Sequence, residues 1–180
     1  MKKTPFMCFL AVLLIVVATM NAGAQLRLEG NLSWPITIGV NSSNTLFSGS
    51  NVDLSQYHFL LPDFRIYYQF GEEFLHGGIG ARAYTALFES FIYPEAFVEV
   101  DLSPIVLEAA LGGFVVDFFG IYNNLTTASL LIPDLNAAWQ VAPWLRLGGG
   151  VLLFIPVGSN WSQNFVYMAY IGARFIFVLK

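Results

Sequence analysis

The stretch that decides the fold is QLRLEGNLSWPITIGVN, residues 25–41. Its even-numbered positions are all apolar or glycine, whereas most of its odd-numbered positions are polar. Because successive side chains of a strand point to opposite faces, this alternation predicts a β-strand with one apolar and one polar face. Strands in soluble proteins average about five or six residues, and a tilted strand crosses a bilayer in about nine to eleven. The stretch therefore predicts a membrane-spanning strand whose even-numbered residues face lipid.

The residues before this strand indicate export. Two lysines at positions 2 and 3 precede an apolar segment, residues 6–17, and Ala22-Gly23-Ala24 has the small-x-small form of a signal-peptidase site. We interpret residues 1–24 as a secretory signal peptide that is cleaved after Ala24. Residues 25–180 then form a single transmembrane β-barrel domain.

The composition of residues 25–180 narrows the class of protein. These 156 residues keep all twelve acids but only six of the eight basic residues, which gives a formal net charge of −6. We expect no nucleic-acid partner for so acidic a chain, and no disulfide, because Cys8 leaves with the signal peptide.

The hydropathy of the chain points to a membrane. The mean hydropathy of +0.63 and the charged fraction of 11% are extreme for a soluble domain. However, the longest uncharged apolar run after the signal, residues 147–157, is shorter than the about twenty residues that a spanning helix needs. A closed β-barrel is the other structure that satisfies every backbone polar group inside a bilayer, and it is the fold that we predict.

Seven further segments show a comparable pattern and complete a predicted all-β, eight-stranded antiparallel up-and-down barrel. We place the strands at residues 25–41, 57–70, 76–88, 93–102, 105–119, 130–141, 145–157 and 165–179. The connections are alternately long and short, as in outer-membrane barrels, which have short periplasmic turns and longer outside loops. The inward face of the seventh strand stays open, because its glycines interrupt the alternation.

The polar faces of these strands carry charges of both signs. The charged residues that we predict to face inward are Arg27, Glu29, Asp63, Arg65, Arg82, Glu99, Asp101, Glu108, Asp134 and Arg174. An eight-stranded barrel is only wide enough for its own side chains to fill it, and breaking a buried ion pair costs about 3–5 kcal/mol. We therefore expect a network of ion pairs that plugs the lumen. A polar path or gate is the alternative interpretation.

Other inward positions near the outside loops are apolar and predict a small apolar pocket. They are Phe59, Leu61, Leu130 and Ile132. We predict no catalytic site and no metal site, because His58 and His76 fall near opposite ends of neighbouring strands. Glu99 and Asp101 form a carboxylate pair, but no substrate cleft accompanies them. We expect a protein that is not an enzyme and has no cofactor.

The end of the chain carries a second pattern. Tyr170, Gly172, Phe175 and Phe177 follow the order polar, x, Gly, x, x, apolar, x, apolar, which resembles the signal read by the barrel-assembly machinery. Together with the signal peptide and the eight strands, it makes residues 25–180 resemble the small outer-membrane barrels of the OmpA-domain, OmpX and OmpW type. The resemblance implies a location in the bacterial outer membrane, with outer-membrane lipid and the barrel-assembly machinery as partners.

Three functions compete at this point. The first is a structural or surface-interaction barrel whose outside loops meet a host surface ligand. The second, implied by the resemblance to the OmpW type, is a narrow channel for a small hydrophobic solute. The third is a secreted, lipocalin-like carrier, which needs an apolar lumen and a charged exterior. Here the charges fall on the face opposite the aliphatic one, and too few remain to hydrate a soluble exterior. We favour the first function, that of a porin-like outer-membrane barrel whose lumen is plugged by ion pairs.

Overall fold

A computed structural model describes residues 24–41, 51–57, 59–72, 74–86, 89–120, 126–157 and 165–179. Apart from Ala24, the predicted signal peptide lies outside these residues and stays a prediction. The described strands are β1 (Gln25–Asn41), β2 (Asn51–Asp53), β3 (Leu61–Glu72), β4 (Leu75–Ala86), β5 (Glu89–Asp101), β6 (Ile105–Gly120), β7 (Thr126–Ala142), β8 (Leu145–Pro156) and β9 (Phe165–Leu179). Within the described part of the chain, no helix is long and apolar enough to cross a membrane.

Eight of these strands close into a barrel. Each of β3 to β9 pairs antiparallel with its neighbour in the chain, and β3 also pairs with β1. The barrel is closed by β1 and β9, which pair from Leu26–Leu179 to Asn41–Phe165. The short β2 lies beside β1 at Thr37–Gly39 and extends the wall at the loop end. The predicted eight-stranded antiparallel up-and-down barrel is confirmed.

The alternation in the sequence sets the two faces of the wall. In β3, Asp63 and Arg65 are buried, while Phe64 between them is 62% exposed. In β1, Ser33 is buried, while Leu32 beside it is 40% exposed. Charged and polar side chains therefore fill the interior and apolar side chains cover the outside. This is the reverse of the arrangement that a soluble carrier needs.

Two β-bulges reverse this alternation near the loop end, where strict alternation along the strands would place both Ile38 and Val115 toward lipid and is wrong. A register shift between Pro35 and Thr37 turns Ile38 inward, where it pairs with Met168 and packs against buried apolar residues. In β6, Phe114 has a φ of 58° and points outward, and Val115 after it is buried instead of facing lipid. Each bulge adds one residue to its strand, so Ile38 and Val115 lie on the face opposite to the one that strict alternation gives them.

The structure also settles the inward face of β8. Arg146 and Leu152 are both buried, so the even-numbered residues of this strand face the lumen. Leu152 pairs with Asp134 of β7 and with Met168 of β9, which face inward as well. The glycines at 148 and 150 lie on the same face, and an added Cβ would lie 2.5 Å from Ala138 Cα at Gly148 and 2.8 Å from the Tyr170 hydroxyl at Gly150.

Candidate functional site: the charged lumen

Every barrel strand contributes charge to the interior. We call the group the lumen charge cluster, and its members are Arg27, Glu29, Asp63, Arg65, Arg82, Glu95, Glu99, Glu108, Asp134, Arg146 and Arg174. None of these eleven residues is more than 7% exposed. The group contains five arginines and six carboxylates. Because their strands lie around the whole wall, the side chains meet at the barrel axis.

The part of the cluster nearest the loop end is built around Asp134. Its Oδ2 accepts hydrogen bonds from Arg82 Nη1 at 2.6 Å and from Arg65 Nη2 at 3.1 Å. Arg82 Nε also donates to Asp63 Oδ1 at 3.0 Å. Since β3 and β7 lie on opposite sides of the barrel, the contact between Arg65 and Asp134 crosses the full lumen.

The middle of the cluster is held by Glu108. Arg65 Nη1 donates to Glu108 Oε1 at 2.8 Å, and Arg174 Nη1 donates to the other carboxylate oxygen. Glu29 Oε2 lies 3.6 Å from Arg65 Nη1 and 3.7 Å from Arg174 Nε. Two carboxylates on β1 and β6 therefore share two arginines, and the shared contacts tie four strands together.

The third part of the cluster lies toward the short turns and is built around Glu99. Arg146 donates to both oxygens of Glu99, at 2.6 and 2.9 Å, and Arg27 Nη2 donates to Oε2 at 2.8 Å. Arg27 Nη2 also lies 2.5 Å from Glu29 Oε1, which links this part to the middle of the cluster. The guanidinium of Arg27 lies over the ring of Phe97, 5.0 Å from its centroid, which is a cation–π distance.

Neutral side chains satisfy part of the remaining hydrogen-bonding capacity. Tyr170 donates its hydroxyl hydrogen to Asp134 Oδ1 at 2.8 Å, and Asn31 Nδ2 donates to Asp63 Oδ1 at 2.6 Å. The Tyr67 hydroxyl donates to Glu95. Such bonds matter because a buried ion pair is tolerated only when its remaining donors and acceptors are also satisfied. Hydrogen bonding and cross-lumen pairing together hold the cluster as one packed unit.

Little open space remains beside the cluster. A cavity of about 20 Å³ is lined by Asn31, Ser33, Asn136, Tyr170 and four of the arginines. A buried water needs about 10–15 Å³, so this cavity has room for about one water. The side chains therefore fill this level of the barrel almost completely.

Ten charged residues were predicted to face inward, and nine of them meet in the lumen charge cluster. Asp101 does not: it lies at the end of β5, half-exposed, where its Oδ1 accepts a hydrogen bond from the backbone N–H of Ser103 at 2.8 Å. Because β5 ends at Asp101, the side chain of this residue bonds to the turn and does not reach the barrel axis. The prediction that placed Asp101 in the network is corrected on this point.

The predicted ion-pair network left out two members of the cluster, Glu95 and Arg146. Glu95 lies on the same face of β5 as Glu99, four positions away, so the alternation was enough to find it. Arg146 had no such signal, because Leu147 and three glycines follow it and leave the parity of the strand undefined. Its face became visible only from its pairing with Gln140 and Arg174 on the neighbouring strands.

An apolar layer closes the lumen nearer the loop end. We call it the outer apolar cluster, and its buried members are Tyr84, Tyr93, Val115, Ile132, Leu152, Met168 and Tyr170. Of the residues predicted to form a pocket, Ile132 is fully buried in this cluster, and Leu61 and Leu130 pack against it. Phe59 is half-buried just before β3. Three of the four residues thus meet in a packed layer.

The four residues of the predicted assembly signal all lie in β9. Tyr170 faces the lumen, as its bond to Asp134 shows, and Phe177 is 55% exposed on the outer face. Phe175 stacks on Trp144, with ring centroids 6.2 Å apart. A side chain at Gly172 would meet the backbone of β1, because an added Cβ would lie 3.0 Å from Ser33 Cα.

The outer wall has a groove where the ladders are irregular. Register shifts fall between Ile92 and Glu95 on β5 and between Gly113 and Val115 on β6. The groove is lined mainly by apolar residues, among them Tyr68, Ile79, Pro94, Leu111, Phe114 and Leu131. It also borders Glu95, a buried residue of the lumen charge cluster.

No group of three or more potential metal-ligating side chains occurs among the described residues. The acids of the lumen charge cluster alternate with arginines, and each arginine guanidinium occupies the place next to a carboxylate that a cation would take. The arrangement is therefore suited to closing and bracing the barrel by charge pairing.

Comparison with known proteins shows the fold. Neither a protein-family model nor a curated protein matches the chain. The N-terminal β-barrel domain of OprF from Pseudomonas aeruginosa is similar in structure, with a TM-score of 0.50 and 9% identity, over 86% of this chain and 98% of that one. Neisserial surface protein A has a TM-score of 0.48 and 13% identity, over 83% of this chain and 96% of that one. The fold is thus that of the small eight-stranded outer-membrane barrels.

Proposed function

We propose that this chain is a bacterial outer-membrane β-barrel protein with a structural or surface-interaction role and a lumen closed by ion pairs. The observation that carries the proposal is the lumen charge cluster. Charged residues from all eight strands are buried inside a wall whose outer face is apolar. Such a wall suits a hydrocarbon environment, and such a lumen suits a barrel that does not conduct.

The outer face supports the membrane assignment. Soluble monomers rarely expose contiguous apolar patches larger than a few hundred Å². Here, large exposed apolar residues occur on every barrel strand, for example Phe64, Leu111, Leu135 and Ile171. Trp139 near the end of β7 and Trp144 in the turn between β7 and β8 are both exposed, at a level where membrane barrels carry aromatic residues.

The contacts across the axis support the closed lumen. Arg65 with Asp134, Arg174 with Glu108 and Arg146 with Glu99 each join strands that are not neighbours in the wall. A water column along the axis would have to separate these pairs. Separation would leave buried charges without partners, which costs about 3–5 kcal/mol for each broken pair.

Reconstitution into planar bilayers tests the closed lumen. We expect near-silence from the wild-type protein and conductance steps from Glu108→Ala, which removes the carboxylate shared by Arg65 and Arg174. Leu107→Ala is the matched control, because it truncates the neighbouring residue on the outer face. Stable, large steps from the wild-type protein would contradict the proposal. Recovery of the protein in the soluble fraction without detergent would contradict the membrane location and favour a secreted carrier.

The groove on the outer wall favours a second candidate function, a sideways route for a small hydrophobic solute. Its support is the apolar lining beside the irregular ladders. If the groove is such a route, we expect Ala96→Trp, which fills it, to reduce the uptake of a small apolar solute by cells that take up this solute through the protein. Ala109→Trp adds the same bulk to the outer face of the next strand and serves as the control. Equal uptake by the two variants would remove this candidate.

A further inference from the structure

The basic residues of this chain have an unusual distribution. Between residues 24 and 179 the sequence contains five basic residues, all arginines, at positions 27, 65, 82, 146 and 174. All five belong to the lumen charge cluster and are at most 7% exposed. Lys180 is the one basic residue that follows them. The surface formed by residues 24–179 therefore offers no lysine or arginine to a lipid headgroup.

The acidic residues divide differently. Six belong to the lumen charge cluster, and the other six lie at or near the ends of strands: Asp53, Glu72, Glu73, Glu89, Asp101 and Asp117. These positions occur at both ends of the barrel, since Asp53 follows the first outside loop and Asp101 precedes a short turn. Both rims are thus acidic by sequence, and Lys180 is the one lysine or arginine of residues 25–180 outside the lumen charge cluster.

We propose that the lipid partner of this barrel is a neutral, zwitterionic headgroup surface, and that anionic lipid opposes its insertion. Membrane proteins usually use lysine and arginine near the headgroups to bind anionic lipid. Here the arginines that would do so are enclosed in the lumen, and the rims carry the same sign of charge as an anionic leaflet. The inference rests on the proposed function, because it requires a protein that inserts into a bilayer.

The charge distribution acts mainly on the rate of insertion. Long-range electrostatic forces change association rates by about tenfold to a thousandfold, and the effect falls steeply with ionic strength. Asp53 at one rim is exposed and Asp101 at the other is half-exposed, so salt screens their charges over about 10 Å at 0.1 M. The lumen charge cluster contributes little at a distance, because its five arginines and six carboxylates nearly cancel.

Refolding of residues 25–180 from urea into two kinds of vesicle tests the inference. At low salt we expect insertion into mixed phosphatidylcholine–phosphatidylglycerol vesicles to be about tenfold slower than into phosphatidylcholine vesicles. Added sodium chloride should remove the difference. Equal or faster insertion into the mixed vesicles overturns the inference, and so does a difference that salt leaves unchanged. Failure to insert into either kind of vesicle would instead overturn the proposed function.

A matched pair of variants separates charge from packing. Ser55→Lys with Leu102→Lys places one cation at each rim, at positions that are exposed. Ser55→Gln with Leu102→Gln makes polar substitutions at the same positions without charge. We expect the lysine variant to lose the delay in mixed vesicles and the glutamine variant to keep it. The same delay in both variants would show that the rims do not sense headgroup charge and would overturn the inference.

Discussion

Arg146 and Glu99 form a two-point ion pair across the lumen, with N–O distances of 2.6 and 2.9 Å. Their strands, β8 and β5, are not neighbours, so the pair braces the barrel from inside. Arg27 Nη2 binds the same Glu99 Oε2 at 2.8 Å. Glu99 therefore holds two guanidinium groups close together, and its removal would leave two buried cations without the carboxylate that they share.

Our first prediction concerns this three-residue group. We expect Glu99→Gln to lower the free energy of unfolding by about 3–5 kcal/mol, because it breaks buried ion pairs and keeps the volume of the side chain. Urea titration in detergent micelles, followed by far-ultraviolet circular dichroism, measures the change. Glu99→Gln combined with Arg146→Met should cost clearly less than the sum of the two single changes, since the double variant removes both charges of the pair. Additive losses would show that the pair has no energetic coupling.

A second prediction tests the faces and the depth of the wall. Leu32 is 40% exposed on the outer face, and its pairing with Ala173 places it near the middle of the ladder with β9. We expect Leu32→Arg to lower the free energy of unfolding in vesicles by about 2–4 kcal/mol, as for a cation near the bilayer midplane. Leu75→Arg, at the first residue of β4, should cost only about 0–1 kcal/mol. Equal costs at the two positions would contradict a membrane that covers the middle of the barrel.

How far the fold follows from sequence depends on how regular each strand is. In β1 and β3 the alternation of apolar and polar residues is unbroken along the part of each strand that carries the charged residues. The inward positions of Glu29, Asp63 and Arg65 could therefore be predicted residue by residue. The alternation fails where the backbone adds a residue. Ile38 and Val115 lie just after bulges, and nothing in the local composition marks the shift of register that turns them inward.

The sequence could not predict which charged residues pair with each other, for a different reason. Arg65 binds Glu108 and Asp134, which lie 43 and 69 positions further along the chain and on the far side of the barrel. Which side chains meet at the axis depends on strand tilt and shear, and these are properties of the closed barrel. The sequence therefore predicts that charges must pair inside, and only the closed structure tells which ones do.

The third prediction concerns the bulge in β6. Phe114 has a φ of 58°, a left-handed conformation that costs a residue other than glycine about 1–2 kcal/mol. We expect Phe114→Gly to keep or raise the free energy of unfolding in detergent, because the relief of strain offsets the loss of an exposed ring. Phe114→Val should lower it, since a branched Cβ tolerates this conformation least. A loss of stability in the glycine variant that equals the loss in the valine variant would contradict the strain argument.

The last prediction separates two roles of Gly172, which the sequence assigns to an assembly signal and the structure places against β1. An added Cβ at Gly172 would lie 3.0 Å from Ser33 Cα and 3.1 Å from the Leu32 carbonyl carbon, so the backbone would have to shift. We expect Gly172→Ala to lower the free energy of unfolding of purified, refolded protein by about 1–3 kcal/mol, as overpacking does. Gly30→Ala is the control, because its Cβ would meet Phe64 at an ordinary contact distance of 3.9 Å.

The two roles predict different outcomes for this glycine. If Gly172 is kept small for packing at the seam of β1 and β9, the alanine variant is less stable in detergent, where no assembly machinery is present. If it serves only recognition, refolded Gly172→Ala is as stable as the wild type, and only its yield in the outer-membrane fraction of cells falls. Because the close approach involves backbone atoms of β1, and not the end of a flexible side chain, we expect the loss of stability in detergent together with a lower yield in cells. Wild-type stability of refolded Gly172→Ala would contradict the packing role, and Gly30→Ala should match the wild type in both measurements.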